Sequence, residues 1–119
     1  MENESRTDRA LAHFRKGPIR YNCGQSVLYA FQPDGLTGPT DIEDCKACGS
    51  GRLPSGHCGA AWVARQLSPT PEMADAMEAE FVEAAGSSKC KEILALKRLS
   101  CEGCVRTAVN LIERYRQLT

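Results

Sequence analysis

Seven of the 119 residues are cysteine, and they are the side chains in this sequence best able to do chemistry: Cys23, Cys45, Cys48, Cys58, Cys90, Cys101 and Cys104. A thiolate is both a nucleophile and a soft metal ligand, so clustered thiols suit either use. Two pairs have two-residue spacing, Cys45/Cys48 in "CKAC" and Cys101/Cys104 in "CEGC". That spacing puts both sulfurs on one side of a turn, close enough to share a metal ion or to form a disulfide. The other three stand alone, in "YNCGQ", "SGHCGA" and "SSKCKE". The first residues, "MENESRTDRALAHF", contain no apolar signal core. An odd cysteine count without a signal peptide is a poor disulfide framework. The expected compartment is the cytoplasm, where thiols more often bind metal or react than staple a fold.

The elements that position these sulfurs are helices. All six prolines precede Glu72, so the first part reads as short helices and loops and the second as longer helices. A first helix is predicted over about 7–16, stopping at Gly17-Pro18. Asn22 caps a second, from Cys23 to about Gln32, with Val27, Ala30 and Phe31 at helical spacing. "PDGLTGP" is a turn-rich loop, and "TDIEDCKAC" a short helix. A helix follows from about Cys58 to Leu67. Thr70 caps the next, with Pro71 at its first position and Gly86 closing it after Ala85. Ser88 is predicted to cap a helix from Lys89 to about Lys97, and Ser100 one from Cys101 to about Gln117. In the last, Val105, Ala108, Ile112 and Tyr115 form one stripe. No segment alternates as a strand does, so the fold class is all-α, a compact bundle of about six or seven short helices. It is one domain over 1–119, with 1–20 as N-terminal helix and lead-in.

In this register Cys23, Cys58, Cys90, Cys101 and Cys104 all fall at or near helix N-termini. Unpaired amide groups and the positive dipole end stabilise a thiolate there, and its pKa is expected to fall. Cys45 and Cys48 instead close a helix and follow Asp41, Glu43 and Asp44, which should keep them protonated unless a cation binds. Free cysteine also serves as a small buried hydrophobe. Cys23 shares a face with Val27 and Phe31, and Cys104 with Ala108 and Ile112, so these two also suit the core. His57 adjoins Cys58 but reads as a loop or capping residue, and His13 as structural. Trp62 and Phe81 read as core or interface anchors.

Composition narrows the function classes. Lys plus Arg and Asp plus Glu are 15 each, a balance without the basic excess of a nucleic-acid binder. No apolar run approaches the length that crosses a bilayer. "GSGRLPSG" lacks the Gly-Lys-Ser/Thr end of a phosphate-binding loop and follows no strand. Short helices around a modest core favour self-association, so a homodimer is expected.

"YNCGQSVLYAF", "GSGRLPSGHCGA", "GSSKCKEI" and "CVRTAVNLIERY" follow one another in this order. Together they resemble the small bacterial and archaeal C_GCAxxG_C_C family, which is regarded as redox-active. The resemblance spans about 21–115. It implies a helical domain that brings Cys23, Cys58, Cys90 and Cys104 together for redox or iron–sulfur chemistry. It gives Cys45, Cys48 and Cys101 no role.

Three functions are compatible with these residues. The first is a redox protein whose Cys23, Cys58, Cys90 and Cys104 cycle between dithiol and disulfide with a redox partner protein, or hold an iron–sulfur cluster. The second is a structural or sensory zinc module, in which the same four thiolates close a tetrahedral site without turnover. The third is a helical interaction protein with incidental cysteines.

Overall fold

The computed structural model describes residues 5–35, 42–43, 45–46 and 56–117. Among these it has six α-helices: α1 (Arg6–Ala12), α2 (Cys23–Phe31), α3 (Gly59–Gln66), α4 (Pro71–Ala85), α5 (Cys90–Leu96) and α6 (Cys101–Tyr115). A 3₁₀ turn, Gln32–Asp34, continues α2. The described residues contain no strand, only two isolated β-bridges, so the all-α bundle is observed.

Helix ends follow local chemistry. Asn22 and Gln25 form a reciprocal capping box at the start of α2. Thr70 caps α4 with Pro71 behind it, and the Ser100 hydroxyl accepts the Gly103 N–H at the start of α6. Gly86 ends α4 in the left-handed conformation, φ 90°.

Helix α6 is the axis of the bundle and packs on α1, α2, α3 and α4. Its stripe Val105, Ala108, Val109 and Ile112 meets Val27 and Phe31 of α2, Val63 of α3 and Met77 and Phe81 of α4 in one core. Fully burying each of the larger side chains contributes about 1.5–3 kcal/mol. Arg6 ties the ends together: its guanidinium donates to Asp34 at 2.8 and 2.9 Å and to Glu113 at 2.9 Å. Helix α5 is different. Among its residues only Ile93 is buried, while Leu94 and Leu96 are about half exposed.

Two predicted elements are corrected. Helix α1 ends at Ala12, several residues before Gly17-Pro18. The chain there prefers a bridge to the lead-in of α2: Phe14 pairs with Tyr21, and the Arg15 N–H donates to the Tyr21 carbonyl at 2.9 Å. Ser88 does not cap α5. Lys89 is the cap residue, the Lys89 N–H donates to the Ser87 hydroxyl, and the Ser88 side chain hydrogen-bonds Glu78 instead. Most of "TDIEDCKAC" and of the glycine-rich loop after it lies outside the described residues. Trp62 packs partly buried against the core, and Phe81 is fully buried within it.

The left-handed end of α4 is testable. A Cβ at Gly86 would lie 2.5 Å from the tip of Leu96, a half-exposed side chain free to swing aside. The backbone conformation is the larger obstacle, and Gly86→Ala should cost about 1–2 kcal/mol in urea unfolding. A neutral result would contradict that φ.

Candidate functional site

Cys58 and Cys90 are brought together by backbone. Residues 56–58 and 88–90 run antiparallel for one bridge, between His57 and Lys89. The Cys58 N–H donates to the Ser88 carbonyl at 2.8 Å, and the Cys90 N–H to the Gly56 carbonyl at 3.0 Å. These bonds pair the start of α3 with the start of α5, so sulfurs 32 positions apart in sequence share one site. His57 turns the other way and meets Glu78 of α4 at 3.1 Å, where Arg65 also donates to Glu78 at 2.9 Å. Burial pushes the Glu78 carboxyl up, but hydrogen bonds from Ser88 and His57 more than offset it and hold it below its usual range. His57 thus anchors this segment to α4, where the sequence suggested a loop or capping residue.

The helix packing supplies the other sulfurs. Cys23 is the first residue of α2, and Cys101 and Cys104 lie in the first turn of α6. One small cavity of about 20 Å³ is lined by Cys23, Cys58, Cys90, Cys101 and Cys104. Arg15, Ile93 and Leu94 complete its wall. All five cysteines are in the thiol form; Cys23, Cys58 and Cys104 are buried, and Cys90 and Cys101 are partly exposed. The four cysteines singled out by the resemblance therefore converge. They are joined by Cys101, whose cavity position follows from α6 starting there, three residues before Cys104.

Cys45 is elsewhere. It is fully buried and disulfide-bonded, which overturns the expectation of a protonated thiol held by its acidic neighbours. Its segment is fixed to the start of α2: the Asn22 amide donates to the carbonyls of Cys45 and Lys46 at 3.0 and 3.1 Å, and the Gln25 amide to that of Ile42 at 2.9 Å. Cys48 lies outside the described residues.

The electrostatics reverse one expectation. A helix N-terminus alone should lower a thiol pKa, yet Cys58 is pushed up to about 12. The main cause is the hydrogen bond it donates to Cys104, which stabilises its neutral form; a bond accepted from Cys23 opposes this, and burial adds to it. Cys90 is also raised, first by burial, then by the nearby Cys23 and Cys101 sulfurs, with Arg15 pulling the other way. Sulfurs in one apolar pocket compete for negative charge, and that competition outweighs the helix ends.

Thiolates are the right donors for zinc or an iron–sulfur cluster. The arrangement does not fit either group. Among the described residues no three His, Cys, Asp or Glu side chains are placed to hold one ion. A 20 Å³ cavity has room for about one water, not for a cluster.

Sequence reasoning missed Arg15. Its side chain reaches the thiol cavity because the chain turns at this residue with φ 55°. The only signal was the position of an arginine just ahead of Gly17-Pro18.

The raised Cys58 pKa has a stability consequence. The thiol titrates at an ordinary 9.0 when unfolded and near 12 when folded, so its contribution is present below pH 9 and lost as pH rises toward 12. Urea titrations should show stability falling over that window, with a shallower fall in Cys58→Ala. Iodoacetamide near pH 8 should label Cys58 more than about tenfold more slowly in the folded protein than in the urea-unfolded chain, because the thiolate is the reacting form. No family model matches this chain, and neither curated proteins nor solved structures give a match to it.

Proposed function

We propose that the protein is a thiol–disulfide redox protein whose five-sulfur pocket cycles between dithiol and disulfide. The observation that carries this reading is that thiols from the starts of α2, α3, α5 and α6 line one cavity, with Cys58 hydrogen-bonded to both Cys23 and Cys104. Incidental core cysteines have no reason to be in mutual contact. The likeness to the C_GCAxxG_C_C family supports the same reading. The failure of the residues to frame a metal ion favours thiol exchange over the zinc module and over an iron–sulfur cluster.

The three buried and two partly exposed sulfurs divide the work. Cys90 and Cys101 meet external disulfides or a partner protein because they are the two with access, which at Cys90 counts for more than its raised thiol pKa. Cys58, held neutral, serves as the inner thiol: it attacks a sulfur that has already been oxidised, the new S–S bond forms as the old one breaks, and its proton goes to the thiolate that leaves. A dithiol partner protein returns the pocket to its reduced state. Cys45 is outside this cycle.

Reduced protein treated with a mild thiol oxidant should lose two thiol equivalents per chain. Peptide mapping should place the new disulfide among Cys23, Cys58, Cys90, Cys101 and Cys104. Cys58→Ser and Cys104→Ser should each abolish cycling, whereas Cys45→Ser should chiefly reduce stability. A colourless, metal-free protein whose five thiols resist oxidation would end this reading. Stoichiometric zinc, or a brown anaerobic preparation, would replace it with a metal site. If Cys45→Ser is the damaging change for cycling, the site belongs to the two-residue-spaced pairs instead.

A further inference from the structure

Arg15 stands at the mouth of the thiol cavity in a conformation that arginine seldom adopts. Its φ of 55° costs about 1–2 kcal/mol relative to the usual basin. Arg20, Lys97 and Gln117 share this conformation, so the strain by itself marks no site; it persists where surrounding structure over-determines it. Here two backbone bonds do so: the Arg15 N–H donates to Tyr21 at 2.9 Å and the Tyr21 N–H to His13 at 2.8 Å. The guanidinium carbon lies 5.2 Å from the centroid of the Phe14 ring, and the side chain is exposed. Among the described residues no carboxylate forms an ion pair with it, as is also the case for Arg9, Arg20, Arg98 and Arg116, but of these only Arg15 lines the thiol cavity.

We propose that Arg15 makes the Cys90 edge of the pocket selective for small disulfides that carry carboxylates. This inference rests on the thiol–disulfide reading above. The cavity is too small to admit either half of such a molecule, so exchange takes place at the mouth, where partly exposed Cys90 and exposed Arg15 lie together. The guanidinium takes a carboxylate of the substrate while the Cys90 sulfur faces its S–S bond. It is also the cation that opposes burial and the neighbouring sulfurs at Cys90.

The step balances. The Cys90 thiolate attacks one substrate sulfur; a Cys90–substrate S–S bond forms, the substrate S–S bond breaks, and one thiolate leaves and takes a proton. A second pocket thiol, Cys23, Cys58 or Cys101, then loses its proton and attacks the Cys90 sulfur, and the other substrate thiolate departs with that proton. Two protein thiols are oxidised to one disulfide, and one substrate disulfide is reduced to two thiols.

The test compares glutathione disulfide, which is anionic, with neutral hydroxyethyl disulfide, following adduct formation on reduced full-length protein by mass spectrometry. At low ionic strength wild type should react roughly threefold to tenfold faster with the anionic probe, about what one charge pair near a surface supplies. The preference should fade in about 1 M salt, where screening reaches about 3 Å. Arg15→Gln should abolish the preference by slowing the anionic probe several-fold more than the neutral one, and Arg15→Lys should keep most of it. The first adduct should map to Cys90. Equal slowing of both probes in Arg15→Gln, no preference in wild type, or a first adduct on Cys101 would overturn the proposal and leave the redox reading standing. Failure of both probes to react with wild type would remove both.

Discussion

Only a limited amount of negative charge can be held on five sulfurs around a cavity of about 20 Å³, and the properties of this pocket follow from that limit. Each thiolate formed raises the cost of the next, because the surroundings are apolar and the sulfurs are close. The pocket resolves this by unequal sharing. Cys58 keeps its proton and donates it in a hydrogen bond to Cys104, while Cys23 donates to Cys58. An exposed cation, Arg15, lines the cavity on the side of Cys90. Reactivity is therefore graded from the partly exposed thiols inward.

The pocket exists because four helix starts point at one place, and backbone geometry rather than side-chain affinity brings them there. The bridge between His57 and Lys89 joins the starts of α3 and α5, and that between Phe14 and Tyr21 sets Arg15 beside the lead-in of α2. The hydrophobic stripe of α6 holds the remaining elements in register. Thiols make little contribution to that packing beyond their volume. They are passengers on a scaffold stabilised by Phe31, Met77, Phe81 and Ile112. Chemistry at the sulfurs can thus change oxidation state without removing the main source of stability.

Helix α5 is the least supported part of the scaffold. Seven residues long and buried only at Ile93, it has little apolar area holding it. Regions with few buried contacts open at lower free energy than the rest of a domain. Cys90 and two wall residues, Ile93 and Leu94, belong to this helix. The mouth of the pocket is accordingly its most easily opened side.

Much of the bundle was legible from local chemistry. Asn22, Thr70-Pro71, Gly86 and Ser100 act over three or four residues, so the boundaries of α2, α4 and α6 could be read from them directly. The convergence of Cys23, Cys58, Cys90 and Cys104 was suggested by their helix-start positions and by a resemblance. The length of α1 and the cap of α5 were not legible. Phe14 and Ser88 chose partners, Tyr21 and Glu78, that lie outside any local window.

By itself the sequence determined helix identity, the capping of the longer helices and the placement of five thiols near helix starts, because those are properties of neighbouring residues. Only the tertiary structure decided that Cys101 joins the pocket, that Cys45 does not, and that Arg15 stands at its mouth. It also decided the direction in which Cys58 titrates. Local capping favours a thiolate, but burial and contact with other sulfurs depend on which segments meet, and at this distance those interactions are the stronger ones.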